Sequence, residues 1–448
     1  MSRPRFLFDE QSLTLRGFAI AALALLMLLP VGMIGGIVEE RYARYESVVA
    51  DIGAEWGGVQ TLAGPIVLVP FTERWMAIET LDVGGELKTR ERAFSRDGTF
   101  AVLPRTLDAA AQLDVERRQR GIYEAMVYGS RIDVAARFAA PEIEAAPGRT
   151  LDVHWADAAL SLGIAAPVGI RSIEVDDSVA VSAPEPGSAF VPLPSGVHWR
   201  LVDARALLDD RVVKIALELN GADELSILPF GGTTTVSIGS QWPHPSFTGS
   251  IPVERRVAAD GFSARWRISS LSRDYPQIFE NTEGTQPIMQ LSSGVRLMQP
   301  VATYSLTDRA VKYAVLFIAL TFTTFLVFEL VTNARVHLVQ YALIGVALAF
   351  FYLLLLALSE HVGFARAYAI AATTIVVMLT GYAAAALGSM KRALLIGAMQ
   401  AVTYAVLWAI LTLEDYALLT GTLALLVGLG LLMYFTRTLS VRAPRTET

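Results

Sequence analysis

The sequence contains no cysteine. Disulfide frameworks, thiolate metal sites and cysteine nucleophiles are excluded with it, and any part of the chain on an oxidising side must fold by its core alone. Charge is scarce as well. Asp, Glu, Lys and Arg together make up 18% of the 448 residues, which is low for a water-soluble chain of this size. A net charge of −6 leaves no basic excess with which to attract nucleic acid. Histidine occurs only five times, and His154, His198 and His244 stand on unlike segments without the spacing of metal ligands. The G-x-S-x-G, H-E-x-x-H and phosphate-loop motifs are all missing. Aspartates and serines are scattered through strand-like sequence without a paired arrangement. No catalytic residue, cofactor or metal site is therefore assigned, and the chain reads as non-enzymatic.

What the sequence has in abundance is apolar length. Hydrophobic residues make up 53% of the chain. Apolar runs fall at Ala314–Val331, Leu338–Leu358, Ala367–Leu387, Ala393–Thr412 and Tyr416–Phe435. Each has roughly the 20 residues that an α-helix needs to cross a hydrocarbon core, and only helices or closed barrels satisfy every backbone group in lipid. Residues 311–436 thus read as a five-helix membrane bundle, with 437–448 as a tail. A further apolar run, 17–38, follows the basic residues Arg3, Arg5 and Arg16. A cleaved signal peptide is the rival reading of 1–38. The run is nearer a full span than a short signal core, no clear A-x-A site follows it, and the chain continues as Glu39-Glu40-Arg41-Tyr42. We read it as an uncleaved first span, in which Gly32 and Gly36 form a G-x-x-x-G suited to close helix packing.

Orientation follows from Lys and Arg in short loops. With six spans and a cytoplasmic N-terminus, the inner segments carry Arg335, Lys391, Arg392, Arg437, Arg442 and Arg445, whereas the outer loops carry Glu360, His361, Arg366, Glu414 and Asp415. Both termini are then cytoplasmic and residues 39–310 lie outside, in the periplasm of a bacterial cell. That region opens with a helix on which Tyr42, Tyr45, Val49, Ile52 and Trp56 form one apolar face. Beyond Gly64-Pro65 the pattern turns to alternation: Ile132, Val134, Ala136 and Phe138; Val213, Ile215, Leu217 and Leu219; Phe262, Ala264, Trp266 and Ile268. Short strands punctuated by Gly, Pro, Asp and Asn predict one or two β-sandwich-like domains inserted between helices 1 and 2. The Pro-rich stretch Ala183–Pro194 is the internal linker or long loop.

Several segments, in order, carry a resemblance. They are LAGPIVLVP (Leu62–Pro70), RRQRGIYEAMVYGSRIDVAARF (Arg117–Phe138), LELNGADELSILPFGGTTTVSIGSQWPHPSFTG (Leu217–Gly249) and GFSARWRISSLSRDYPQ (Gly261–Gln277). In the apolar part they are RAVKYAVLFIALTFTTFLVFEL (Arg309–Leu330) and RVHLVQYALIGVALAFFYLLLLALSEHVGF (Arg335–Phe364). Together they closely resemble CreD, the bacterial inner-membrane family linked to cell-envelope integrity, stress response and colicin tolerance. The resemblance implies six spans, a large periplasmic domain and an envelope role. It brings no reaction and no catalytic residues.

Two groups of residues stand out as candidate sites. In Trp242-Pro243-His244-Pro245-Ser246-Phe247, prolines flank His244, fix φ and remove donors, so the segment reads as a stiff, non-ladder loop. Trp242, His244 and Phe247 could meet a partner there, or the loop could be tucked onto its own sandwich. The second group is polar and lies by the membrane: Glu329, Arg335 and His337 on the inner side, Glu360 and His361 in the outer loop between the third and fourth helices. Ionisable residues at membrane depth are functional hypotheses by default; shallow ones also serve as local ion pairs or wet helix ends. Gln340 and Tyr341 lie just inside the boundary, in reach of hydrogen bonds between helices. No span shows the broken, Gly/Pro-interrupted helices of secondary transporters. The expected partners are the lipid bilayer and an envelope protein or cell-wall or lipid component, with no nucleic acid. A transporter or channel-like component acting through Glu329, Glu360 and His361 is the alternative, and an envelope enzyme of unrecognised type is the second.

Overall fold

The computed structural model describes residues 13–83, 86–177, 179–282, 288, 291–298, 303–332, 337–413 and 417–436. The chain divides into two compact units, one of residues 1–46 with 301–448 and one of residues 47–300.

The first unit is helical. Helices α1 (Leu13–Leu26) and α2 (Leu28–Trp56) are separated only by Met27, and α2 runs on into the second unit. After the short α3 (Ala204–Leu208) of the second unit come α4 (Thr303–Lys312), α5 (Ala314–Thr332), α6 (Leu338–Val362), α7 (Phe364–Leu387), α8 (Met390–Thr412) and α9 (Ala417–Thr436). Among the described residues, 17–56, 338–362, 364–386 and 390–412 are each long and apolar enough to cross a membrane, and α4 with α5 qualifies as a pair bent by 49°. Aromatic rings fill the centre of this unit, with Phe317 4.6 Å from Tyr404 and Phe351 4.8 Å from the same ring. Offset or tilted ring contacts of this kind add to the van der Waals packing that holds helices together in lipid. The G-x-x-x-G of α2 does not pack: a Cβ at Gly32 or Gly36 would meet nothing within 4 Å. Its neighbour Gly35 faces Val311, and Gly345 of α6 lies so close to Met27 that a Cβ would fall 2.5 Å from it.

The second unit is two stacked sheets around one core, a sandwich. One sheet has ten strands; its main path runs Pro245–Thr248, Ser293–Leu297, Glu224–Ile227, Gln60–Val83, Ala159–Ile164, Gly196–Arg200, Glu185–Pro186. The other has seven: Glu254–Ala258, Gly261–Ser269, Thr233–Ser240, Thr106–Arg120, Tyr123–Arg137, Val212–Ala222, Ile170–Val175. Pairing is antiparallel except between Gln60–Val83 and Glu224–Ile227 and between Thr106–Arg120 and Thr233–Ser240. The period-two pattern decides which face is buried: Val213, Ile215, Leu217 and Leu219 point inward while Lys214, Ala216 and Glu218 are exposed. From the ten-stranded sheet Val67, Leu160 and Leu225 meet Val134, Val236 and Trp266 of the seven-stranded one in a single apolar cluster. Each such fully buried side chain contributes roughly 1.5–3 kcal/mol. The Pro-rich stretch Ala183–Pro194 belongs to this unit rather than joining two parts, because Phe190 is fully buried in the same cluster and Leu193 nearly so. At the end of α2, Ile52 packs against Ala125, Val127 and Ala222. The Trp56 indole N–H donates to the Tyr128 carbonyl at 3.2 Å under the Arg118 guanidinium, 4.3 Å from the ring.

Candidate functional sites in the two units

In the helical unit the polar candidates fall into two separate places. At one, Glu360 sits in the last turn of α6, not in a loop, and its side chain is only 10% exposed. The sequence suggested a loop because Ser359, Glu360, His361 and Arg366 interrupt the apolar run. In the structure they extend α6 and α7, and the turn shrinks to Gly363, whose φ of 79° lies in the region that glycine favours. Tyr304 of α4 donates its hydroxyl to Glu360 Oε1 at 3.0 Å, and Arg41 of α2 places Nη1 3.7 Å from Oε2. Tyr42 and Tyr45 stack beside it and meet the Tyr304 ring at a tilt, with Tyr45 and Tyr304 5.5 Å apart. His361 is exposed one residue further on.

At the other place, Glu329 lies in the last turn of α5 and is 9% exposed. The Tyr341 hydroxyl of α6 donates to its Oε2 at 3.1 Å. His337 caps α6: its Nδ1 accepts from the Val339 N–H at 3.2 Å, and Gln340 Oε1 accepts from the His337 N–H at 2.9 Å. This reciprocal arrangement satisfies two of the free donors at the helix start. His337 is thus occupied by its own helix, and Arg335 lies outside the described residues. The two acids do not form one site. Their partners on α6, Tyr341 and Glu360 itself, stand 19 positions apart, or about 29 Å at 1.5 Å per residue.

In the sandwich unit, the segment 242–247 is not a free loop. Pro245–Thr248 is an edge strand paired antiparallel with Ser293–Leu297. Pro245 is tolerated because it opens a strand on the sheet edge, where no ladder donor is lost. Phe247 is half-buried and packs against the core, its ring 5.9 Å from Trp266 and 6.1 Å from Phe262. Trp242 is half-buried and donates its indole N–H to the Met298 carbonyl at 3.2 Å, while the Met298 N–H returns to the His244 carbonyl at 3.0 Å. Arg117 lies over the Trp242 ring at 5.6 Å. Only His244 is exposed. The segment is tucked onto its own sandwich and presents an imidazole at most.

Residues that the sequence alone did not single out are Arg41 and Tyr304, whose pairing with Glu360 needs three helices to meet, and Gln400 of α8. Gln400 is fully buried, and among the described residues neither amide atom has a partner. Tyr128 is another: buried between the sheets, it donates its hydroxyl to the Glu224 carbonyl at 2.9 Å, and burial pushes its phenol well above the usual value.

A family model described as Inner membrane protein CreD matches residues 12–442. The chain belongs to the CreD family. The Inner membrane protein CreD of Escherichia coli (strain K12) is 36% identical over 417 residues, covering 92% of this chain and 90% of that protein. A match of that extent spans both the helical unit and the sandwich unit. The chain is accordingly a multi-pass inner-membrane protein of the CreD family with a large, mainly-β domain.

Proposed function

We propose that the protein maintains the bacterial cell envelope, its β domain standing in the periplasm and binding another envelope component while the helices anchor it in the inner membrane. The observation that carries this reading is the near full-length match to an inner-membrane family in a chain that also folds a large β domain with a core of its own. Six spans complete the topology: 17–38, α5, α6, α7, α8 and α9. Arg335, Lys391, Arg392 and Arg437 then fall on the same side as Arg3, Arg5 and Arg16, which puts both termini in the cytoplasm and residues 39–310 outside. Colicin tolerance and envelope stress response are the phenotypes expected of such a role. A transporter using Glu329, Glu360 and His361 takes second place, because each acid is tied to a protein partner, Glu360 near the end of α6 and Glu329 to Tyr341 near its start. We propose no reaction.

The test is a strain lacking the protein, complemented by plasmid copies and scored for survival in detergent and in colicin. Wild type restores resistance on this account. A deletion strain as resistant as its parent would remove the envelope role. A Glu360→Gln or Glu329→Gln variant that is abundant in the membrane but fails to complement would move the reading to transport.

A further inference from the structure

The outer face of the seven-stranded sheet, away from the core, is a trough. Its open volume is about 1050 Å³, continued by a second hollow of about 710 Å³ that shares Ala110, Asp133, Ser237, Glu254 and Arg265 with it. Register explains the shape. One row across the sheet reads Arg265, Ser237, Ala110, Asp133, Ala216, Glu174, each opposite the next on neighbouring strands. The adjoining row reads Arg267, Thr235, Asp108, Ala135, Lys214. Small residues make the floor and long ones the walls. Ala110 and Ala216 are exposed at the middle of the sheet, on the face that a mainly antiparallel sheet can leave to water.

The walls differ in sign. Arg265 and Arg267 line one side, where Arg265 is also ion-paired with Glu254 at 3.3 Å, and Glu174, Asp176 and Asp177 with Lys214 line the other, with Asp108 and Asp133 on the floor between. The strands that carry the walls, Gly261–Ser269 and Ile170–Val175, are five strand spacings apart, about 24 Å. That leaves room between long side chains for one α-helix, about 10–12 Å across with its own side chains. Every floor strand is already paired on both sides, so an extended peptide has no ladder to join. Among the described residues no aromatic ring lines either hollow, which disfavours a sugar ring, and the mixed charge disfavours a polyanion such as a lipid-linked phosphate polymer.

Resting on the binding role proposed above, we infer that the trough receives a helix of a second protein, one carrying Lys or Arg along the edge that meets Glu174 and Asp133 and carboxylates along the edge that meets Arg265 and Arg267. Charge complementarity of this kind sets orientation and partner choice more than it sets raw affinity.

The test places a photo-activated benzoylphenylalanine at Ala110 or Ala216 of the full chain in living cells, with Leu271, an exposed position off the trough, as control. The expected result is one protease-sensitive adduct, the same from both trough positions, absent at Leu271 and reduced at least tenfold by the double change Arg265→Glu, Arg267→Glu. Restoring the adduct by reversing two charges of the cross-linked protein's helix completes the case. An adduct at twice the mass of this chain, a protease-resistant adduct, an adduct indifferent to the charge reversal, or none at all overturns the inference. Ala110→Trp fills the trough at an exposed site and should lose complementation at unchanged membrane abundance. If Ala110→Trp complements fully in a strain whose deletion is detergent-sensitive, the trough is excluded and the binding role stands. If the adduct forms as described but the deletion shows no envelope defect, the envelope role fails and the trough stands.

Discussion

Tyr304 and Glu360 are joined by a hydrogen bond of 3.0 Å between α4 and α6, on a carboxylate that Arg41 also faces. A largely buried charge held by a hydroxyl and a guanidinium is stable only while both remain, since removal of one partner leaves the acid desolvated. Tyr304→Phe should lower stability by about 2 kcal/mol, the range for hydrogen bonds to charged groups. Arg41→Gln should cost less, its side chain being half exposed. Thermal unfolding in detergent reads both, and the double variant should fall short of the sum because the residues share Glu360. Strict additivity would mean that the three do not act as a unit.

Tyr341 and Glu329 make the corresponding link between α6 and α5. Here the two sides of the pair are not equivalent. Tyr341→Phe takes one hydrogen bond from a carboxylate that is only 9% exposed and should cost on the order of 2 kcal/mol. Glu329→Gln keeps an acceptor for the tyrosine and sheds the charge, so it should be close to neutral. If the glutamine variant is the less stable of the two, the charge of Glu329 is itself needed.

Within 242–247 the three side chains should separate cleanly. Phe247→Ala removes a ring packed on Trp266 and Phe262 and should destabilise the β domain by about 3 kcal/mol. Trp242→Ala loses one hydrogen bond and half-buried area, for a smaller cost. His244→Ala should be silent. Urea unfolding followed by tryptophan fluorescence distinguishes them. An unfolding midpoint for Phe247→Ala equal to that of His244→Ala would return this segment to the surface.

Much of this was legible in the sequence. The alternation of Val213 to Leu219 and of Phe262 to Ile268 gave strands with the correct inward faces, because a period of two has only two choices. The apolar lengths gave the helices. What failed was punctuation. Pro245 looked like a break and is the first residue of an edge strand. Glu360 and His361 looked like a loop, yet polar residues at a helix end extend the helix when partners such as Tyr304 wait on a neighbour. Gly32 and Gly36 matched a packing motif, but which face of α2 meets another helix is decided by tertiary structure, and that face carries Gly35. The trough was invisible for the same reason: Ala110, Asp133 and Arg265 are distant in sequence and adjacent only through register.

Tyr128 gives the β domain a dependence on alkaline pH. Its phenol is raised above the ordinary value by burial, then by the nearby Glu224 and Asp223 carboxylates. The folded state therefore keeps the proton at a pH where the unfolded chain releases it. The associated stability is fully present below the unfolded tyrosine value near pH 10 and is lost as pH rises beyond it. Chemical unfolding of the protein should be flat in this contribution between pH 7 and 9 and weaken above pH 10. Tyr128→Phe should flatten that decline while losing the hydrogen bond to Glu224 at every pH. An identical alkaline slope in the variant would exclude Tyr128 as its source.

The claim on which the rest of the account depends is that the β domain stands in the periplasm, and an alkaline phosphatase fusion at Gly148 tests it most directly. Gly148 is exposed in a turn just before the strand Arg149–Val153, so the insertion leaves the core intact. The account predicts full phosphatase activity at Gly148, an enzyme active only outside the cytoplasm, together with activity of a cytoplasm-dependent reporter fused after Arg445. An inactive phosphatase at Gly148, in a fusion shown to be present in the membrane at normal abundance, would contradict it.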